Sequence, residues 1–284
     1  MPTAFGLDPD QGFNPEDELR VVQRAAELGY ASAWTNSGPD GAAFERCLRW
    51  YRETGLPTGI SAVPANGKPA DFYATQARRL WDVTDGRFTL VVGSGTWTAA
   101  AARMREYLPE LRRLLPKGLP LYAAALGPLM LAVAGELADG VSLNWCTPEQ
   151  VAWSRERVHD AARAAGRAAP VIVEYIRTAV DPDPVIAQRT VAAAGARYLN
   201  FPAYRRHFER MGVAADLEAS ADGDEAATRR VAIRIGAGGK PGDTRAIFDQ
   251  LAKGLDLPIV RVLVTKRGDV ESAQRVLEEC KPRH

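Results

Sequence analysis

Short apolar runs alternate along this chain with longer segments whose apolar residues recur at helical spacing. The short runs predict buried strands, and the helical spacing predicts amphipathic helices that pack one face on a sheet. Eight strands are predicted, at residues 4–7, 31–35, 58–63, 88–92, 121–125, 141–144, 171–178 and 259–265. Strands separated by helices are typical of parallel sheets, and eight such units predict an α/β fold of the (β/α)8 TIM barrel class.

The segment before the last predicted strand departs from this alternation. Residues 182–235 contain several helical patterns without a clear strand between them. We therefore predict an extra helical segment there, and its Tyr198, Phe201 and Tyr204 could reach over a pocket. A single barrel of about 250 residues accommodates the whole chain, so one domain is predicted for residues 1–284.

Residues 119–149 carry the strongest functional signal. A predicted strand, helix and strand follow one another there, and the helix begins at Pro128. The small residues of the junction, Ala124 to Gly127, would let a ligand approach the backbone, and the start of the helix would attract a phosphate. The alternative is that Gly127 and Pro128 merely turn the chain.

Polar residues also follow or interrupt other predicted strands. Asn36 lies at the end of the second strand, where barrel enzymes place their active sites, although a solvated turn is the alternative interpretation. Glu174, Tyr175 and Arg177 interrupt the seventh strand and are the best polar candidates for contacting a substrate. Alternate residues of a strand point to opposite faces, so not all three can do so. An ion pair with a neighbouring helix is the alternative.

Composition excludes several classes of function. The formal net charge of the 284 residues is +1, and basic and acidic residues alternate in helices, which disfavours nucleic acid as a partner. No apolar stretch is long enough to span a membrane, and the N-terminal residues do not have the pattern of a secretory signal. We therefore expect a cytoplasmic protein that acts on a small molecule.

Cysteine and histidine residues do not suggest a metal site. The three cysteines are odd in number and far apart, as expected for reduced thiols in the cytoplasm. None of the three histidines has ligand spacing to them. These residues are Cys47, Cys146, Cys280, His159, His207 and His284.

No Ser-His-Asp set and no carboxylate pair is evident among the predicted strand ends. Such a site makes chemical sense if a bound cofactor carries the difficult step and the protein supplies position and electrostatics.

Three segments resemble the luciferase-like monooxygenase superfamily, especially the branch that uses the deazaflavin coenzyme F-420. They are AELGYASAWT at residues 26–35, DGRFTLVVGSG at residues 85–95 and AAALGPLMLAVAGELADGVSLNWCTPE at residues 123–149. PAYRRHFERMG at residues 202–212 agrees more weakly. The resemblance implies a luciferase-like TIM barrel that forms a homodimer and transfers a hydride between coenzyme F-420, an 8-hydroxy-5-deazaflavin, and a small organic substrate.

The resemblance also assigns roles to residues. It implies a cis peptide bond against the flavin ring at Ser61-Ala62 or Ala62-Val63, and Asn36 stands where relatives often have an Asp or a His. Trp145 either covers a flavin face or fills the core. The predicted cofactor site comprises Asn36, Ser61, Ala62, Gly93, Gly95, Ala124, Ala125, Leu126, Gly127, Pro128, Asn144 and Trp145. The predicted catalytic residues are Asn36, Glu174 and Tyr175.

Three alternative functions stay open at this point. The cofactor could be FMN, in which case an oxygen-dependent monooxygenase is expected. The chain lacks a long insertion that typical relatives carry before residue 119, so a shortened relative that binds a flavin, or nothing, without turnover is also compatible. The third alternative is a cofactor-free lyase or isomerase that uses Glu174 as its base.

Overall fold

The computed structural model describes residues 2–283. Its strands are β1 (Ala4–Gly6), β2 (Ala33–Thr35), β3 (Thr58–Pro64), β4 (Phe88–Gly93), β5 (Leu121–Ala124), β6 (Gly140–Asn144), β7 (Val171–Val180), β8 (Ala237–Gly239) and β9 (Leu257–Val262). Its α-helices are α1 (Pro15–Glu27), α2 (Ala42–Thr54), α3 (Ala70–Val83), α4 (Ala100–Leu114), α5 (Pro128–Leu137), α6 (Pro148–Ala164), α7 (Pro184–Ala196), α8 (Pro202–Arg210), α9 (Ala214–Ala221), α10 (Glu225–Arg234), α11 (Thr244–Leu251) and α12 (Val270–Glu279). Short 3-10 helices occur at Pro9–Gln11 and Arg197–Asn200.

The strand order confirms the predicted fold class. The strands pair in the order β6-β5-β4-β3-β2-β1-β9-β7-β8, and β6 also pairs with β7. The eight strands other than β8 therefore close a ring, and they are the eight strands that the sequence predicted. Helices separate nearly all of them along the chain, which defines a (β/α)8 barrel. None of the helices in residues 2–283 is both long and apolar enough to cross a membrane.

The segment before the last strand is helical, as predicted, but it is followed by a strand that the sequence did not reveal. Helices α7 to α10 occupy residues 184–234, and β8 then pairs in parallel with β7, with Thr178 opposite Ala237. Because β8 consists of one alanine and two glycines, it has no apolar run that periodicity could detect. Its backbone pairing with β7 is what makes it a strand.

Two compact units make up the described chain. Unit 1 comprises residues 2–30, 144–153 and 174–283, and unit 2 comprises residues 31–143 and 154–173. A buried cluster within unit 1 brings together residues of α7 to α10, with Phe208, Val191 and Leu217 among its members. The core of unit 2 is built on the apolar runs of its strands, including Leu90, Val141 and others that are fully buried. These cores follow from the apolar stripes that the sequence displays.

Two glycines in unit 2 lie under aromatic rings of the neighbouring strand. Trp34 on β2 pairs with Gly59 on β3, and a Cβ at Gly59 would lie 2.4 Å from a carbon of the Trp34 ring. Tyr122 on β5 pairs with Gly140 on β6 in the same way, and the corresponding distance is 2.7 Å. Both positions therefore need a residue without a side chain.

The variant Gly59→Ala should lower the free energy of unfolding by ~1–3 kcal/mol, because the added methyl group overpacks the buried Trp34. Urea denaturation monitored by circular dichroism measures this change. Gly127→Ala is the matched control, since nothing lies within 4 Å of a Cβ at Gly127. Equal stability of the two variants would show that Trp34 does not require Gly59.

Candidate functional site

The carboxyl ends of the unit 2 strands lie in register. Thr35 on β2 pairs with Ile60 on β3, and Ala124 on β5 pairs with Ser142 on β6. Asn36 and Ser61 are therefore the next residues on two adjacent parallel strands. Asn36 is half-buried directly after β2, at the edge where the sequence placed it.

Three small residues form a shallow patch at this edge, which we call the small-residue surface. It consists of Ala62, Gly93 and Ala124, from β3, β4 and β5. A Cβ at Gly93 would lie 3.6 Å from the Cβ of Ala62 and 3.5 Å from the Cβ of Ala124. All three residues are half-buried. A flat ring could therefore approach the backbone here, and a large side chain at Gly93 would occupy its space.

The peptide bond Ser61-Ala62 is cis, which confirms the first of the two predicted positions. The hydroxyl of Ser61 lies 2.9 Å from the hydroxyl of Ser142, and both side chains are buried. This hydrogen bond between β3 and β6 fixes the residue that precedes Ala62.

The start of α5 is open, as a phosphate site requires. Gly127 precedes the helix without a side-chain cap, and nothing lies within 4 Å of where its Cβ would be. Leu129 in the first turn is 68% exposed. A helix start without a capping side chain attracts an anion, so these residues fit the phosphate of a nucleotide-like cofactor.

Two predicted cofactor residues have other functions in the structure. Ala125 is buried, and its N–H donates to the carbonyl of Ser142 at 3.2 Å, so this amide is not available to a ligand. Gly95 has a φ of +60°, and a Cβ there would lie 1.7 Å from Oδ1 of Asn66. The turn and the neighbouring Asn66 side chain therefore account for a glycine at position 95.

Unit 1 contains a polar group that we call the Arg177 cluster, formed by Asn144, Trp145, Arg177, Tyr198 and Tyr204. Arg177 is 2% exposed; it donates to Oδ1 of Asn144 and, at 3.0 Å, to the hydroxyl of Tyr198. Nδ2 of Asn144 donates to the hydroxyl of Tyr204 at 2.6 Å. The sequence singled out each of these residues separately, and the structure brings them together.

Trp145 is fully buried and belongs to the core of unit 1. The guanidinium carbon of Arg177 lies 4.0 Å from its ring centroid. The backbone of Trp145 has a φ of +57°, which ends the extended conformation of β6. Of the two predicted roles for this residue, the structure therefore favours core packing over an exposed cofactor face.

The predicted catalytic residues Glu174 and Tyr175 are both buried and point to opposite faces of β7. One carboxylate oxygen of Glu174 accepts a hydrogen bond from the N–H of Cys146 at 2.7 Å. The ring of Tyr175 lies 4.7 Å from the guanidinium carbon of Arg261. Neither side chain reaches an open surface, so their predicted contact with substrate gains no support from the structure.

Burial raises the pKa of Glu174 to about 8, although the N–H of Cys146 and the charge of Arg177 oppose this shift. The carboxyl group is therefore mostly protonated at neutral pH, and only its small ionised fraction could act as the base of a lyase or isomerase. Its second oxygen has no hydrogen-bond partner within the described residues.

His207 is a structural residue that sequence reasoning did not identify. Its Nε2 lies 3.1 Å from the carbonyl of Asn144 and 3.2 Å from that of Trp145, while Nδ1 lies 3.0 Å from Nη2 of Arg210. A neutral ring that donates from Nε2 and accepts at Nδ1 satisfies all three contacts. Because His207 is far from Asn144 and Trp145 in sequence, spacing gave no signal of these two contacts.

The three cysteines are free and buried. Cys146 Sγ lies 3.8 Å from Nε2 of His207, but burial raises the pKa of this thiol well above its usual range, so it stays protonated. Residues 2–283 contain no group of three or more His, Cys, Asp or Glu side chains that could hold a metal ion. His284 lies outside the described residues.

A cleft of about 400 Å³ opens in unit 1 beside the start of α6. It is lined by Thr147, Glu149, Gln150, Trp153, Arg210, Met211 and Arg234, none of which is a predicted site residue. Arg234 donates to the carbonyls of Met211 and Gly212, and Arg210 lies over the ring of Trp153. The cations of this cleft therefore have structural partners, and we do not place the active site there.

Comparison with known proteins places these features in a family context. The model of the luciferase-like monooxygenase family matches residues 105–255. The 5,10-methylenetetrahydromethanopterin reductase of Archaeoglobus fulgidus is 27% identical over 36% of this chain, and the match covers 41% of that protein. The chain thus matches less than half the length of this curated relative.

Two solved structures share the fold over nearly their whole length. The coenzyme F-420-dependent tetrahydromethanopterin reductase from Methanopyrus kandleri has a TM-score of 0.74 at 18% identity, covering 98% of each chain. An F-420-dependent secondary alcohol dehydrogenase has a TM-score of 0.75 at 14% identity, again covering 98% of each chain. At these identities the likeness establishes the barrel fold.

The variant Glu174→Gln should change the pH dependence of stability. The unfolded chain releases the Glu174 proton near the ordinary pKa of 4.5 and the folded chain releases it near 8. Wild-type stability therefore falls as the pH rises between these values, whereas a glutamine does not titrate. The free energy of unfolding of the variant, relative to that of wild type, should therefore rise by up to ~1.4 kcal/mol for each pH unit in that window.

Urea denaturation of both proteins between pH 4 and pH 9 measures this difference. Glu209→Gln, at an exposed position on α8, controls for the loss of a carboxylate. A stability difference between Glu174→Gln and wild type that stays constant across the range would contradict the raised pKa.

Proposed function

Because this chain belongs to the luciferase-like monooxygenase family, we propose that it is an oxidoreductase that transfers a hydride between coenzyme F-420 and a small organic substrate. The deazaflavin is favoured over FMN because the similar reductase and dehydrogenase structures are both named as F-420-dependent. The dependence of those two proteins on F-420 supports the proposal for this chain.

The observation that carries the proposal is the small-residue surface and the open start of α5, both in unit 2. Ala62, Gly93 and Ala124 leave the backbone accessible to a flat ring, and the uncapped start of α5 suits an anionic tail. The cis bond at Ser61-Ala62 lies where the family resemblance predicted it. Ala62 follows that bond directly, so the same backbone segment would shape the ring site.

The protein's part in such a reaction is to bind and orient. When bound, coenzyme F-420 supplies the carbon that gives or receives the hydride. The hydrogen bond between Ser61 and Ser142 holds the ring-facing segment of β3 in place. Glu174 is buried and mostly protonated at neutral pH, so only a small ionised fraction could act as a base there. Asn36, which directly follows β2, is still predicted to take part in catalysis.

FMN-dependent monooxygenation is the second candidate. The start of α5 would accept the phosphate of FMN as readily as that of F-420, because the attraction depends on charge and on the free helix end. Titration of the purified protein with each cofactor distinguishes the candidates through fluorescence quenching or a spectral shift. Bleaching of the bound cofactor by a reductant or substrate would then support catalysis, and binding without any redox change across a broad panel would support a non-catalytic relative.

Assembly and location complete the proposal. We propose a homodimer, which the family resemblance implies, and a cytoplasmic location in a bacterial cell. Three free cysteines support a reducing compartment. Light scattering should give the mass of two chains.

The variant Leu129→Glu should weaken binding of coenzyme F-420 about ten-fold at low salt, or ~1.4 kcal/mol, because its carboxylate repels the anionic tail at the start of α5. The helix itself tolerates an acid in its first turn. Leu129→Gln, of the same size but neutral, should bind the cofactor like wild type. Fluorescence titration at two salt concentrations measures the affinities.

A deazaflavin without the phosphate tail provides the second arm of this experiment. Its affinity should be the same for Leu129→Glu and Leu129→Gln, since it has no anionic tail to lie beside the new carboxylate. If the acidic variant binds F-420 as tightly as the neutral one, the tail does not lie at α5 and the cofactor site has to be placed elsewhere.

A further inference from the structure

Unit 1 buries two guanidinium groups with different surroundings. Arg261 is paired with the carboxylate of Asp8, and both side chains are buried. Arg177 is buried as deeply, but within residues 2–283 no carboxylate lies at ion-pair distance from it. Its partners are the neutral side chains of Asn144 and Tyr198 and the ring of Trp145. Buried charges are normally paired, so the lack of a counter-charge requires an explanation.

Glu174 does not provide this counter-charge. It lies three positions before Arg177 on β7, and its carboxylate oxygen accepts from the N–H of Cys146. Because burial raises its pKa to about 8, the group is mostly neutral at pH 7. The positive charge of Arg177 is therefore largely uncompensated within this cluster.

The hydroxyls of Tyr198 and Tyr204, in the Arg177 cluster, each have a proton to donate. The oxygen of Tyr198 accepts from Arg177, and the oxygen of Tyr204 accepts from Asn144. Neither hydroxyl donates to an acceptor within residues 2–283. The ring centroids are 4.5 Å apart, and both residues are half-buried, whereas Arg177 lies beneath them. A phenol whose oxygen accepts a hydrogen bond from a cation is a stronger donor through its own proton.

An apolar ring borders the rings of the two tyrosines. Phe201 is 53% exposed, and its ring centroid lies 6.1 Å from that of Tyr198 and 6.4 Å from that of Tyr204. An exposed aromatic side chain next to donor groups suits a ligand with an apolar body and a polar end.

We propose that Tyr198 and Tyr204 bind the carboxylate of the substrate, that Arg177 supplies the compensating charge through them, and that the substrate is an organic acid with an apolar part. The inference rests on the proposed function, since it names the substrate class of that reaction. The two hydroxyls donate to the carboxylate oxygens, and Arg177 and Asn144 are positioning residues that hold and polarise the hydroxyls. The bound carboxylate provides the negative charge that the cluster lacks.

The test uses the full-length protein without cofactor and two probes of the same shape. Benzoate carries a carboxylate on an apolar ring, and benzamide is its neutral counterpart. Calorimetric titration should show that wild type prefers benzoate about ten-fold, as charge-assisted hydrogen bonds are roughly twice as strong as neutral ones. Equal affinity for the two probes would overturn the proposal.

Variants then locate the preference. The double variant Tyr198→Phe and Tyr204→Phe keeps the rings but removes both hydroxyls, and it should bind the two probes equally. Tyr51→Phe on α2 is the matched control and should keep the wild-type preference. Arg177→Lys should keep part of the preference for benzoate over benzamide, whereas Arg177→Met should lose it. Because lysine keeps the charge and methionine keeps only the apolar packing, the two variants distinguish these contributions. A double variant that folds and still prefers benzoate as wild type does would contradict the assigned donors.

The cofactor tail is the other anion that this cluster could meet. Arg177→Met should bind F-420 and its tail-free analogue with wild-type affinities. A selective loss for the tail-bearing form would assign the cluster to the cofactor and refute the substrate assignment. If wild type binds no deazaflavin, the proposed function fails, but the preference for benzoate can still be measured on the protein without cofactor. If deazaflavin binds and benzoate is not preferred over benzamide, only this inference fails.

Discussion

Backbone hydrogen bonding between parallel strands is the interaction on which the candidate cofactor site depends. It aligns the carboxyl ends of β2 to β6, so residues that are distant in sequence share one edge. Side-chain size then decides what each position can do. Gly59 is covered by the ring of Trp34, whereas Gly93 has only the methyl groups of Ala62 and Ala124 beside it. Gly59 and Gly93 both lie on paired parallel strands, but Gly59 is packed under a ring and Gly93 is accessible to a ligand.

The polar chemistry of unit 1 is governed by the cost of burying charge. The protein meets this cost in three ways: Arg261 has a carboxylate partner, Glu174 stays protonated, and Arg177 is surrounded by neutral acceptors and an aromatic ring. The first two arrangements leave little net charge buried. The third retains a positive charge and two hydroxyl protons, which is why we assign a ligand to it and not to the cleft beside α6.

Some of the site could be read from the sequence and some could not. The position of the cis bond came from resemblance, and the opening at Gly127 came from the pattern of a helix that starts at proline. The cofactor assignments of Gly95 and Ala125 stay predictions, and the structure adds contacts that the sequence did not show: Asn66 lies beside Gly95, and the N–H of Ala125 donates to the carbonyl of Ser142. Asn66 and Ser142 are distant in sequence from the residues they contact, so no local sequence pattern predicts these contacts.

The sequence by itself determined the eight barrel strands, the helical segment before the last strand and the small residues at the strand ends, because periodicity and residue size are local properties. Only the tertiary structure decided the rest. It made a strand of Ala237–Gly239 by pairing it with β7, buried Trp145 in the core and set His207 against the carbonyls of β6 and its following loop. It also joined Arg177 directly to Tyr198 and, through Asn144, to Tyr204, without a carboxylate. Burial and partner choice depend on such contacts between distant segments.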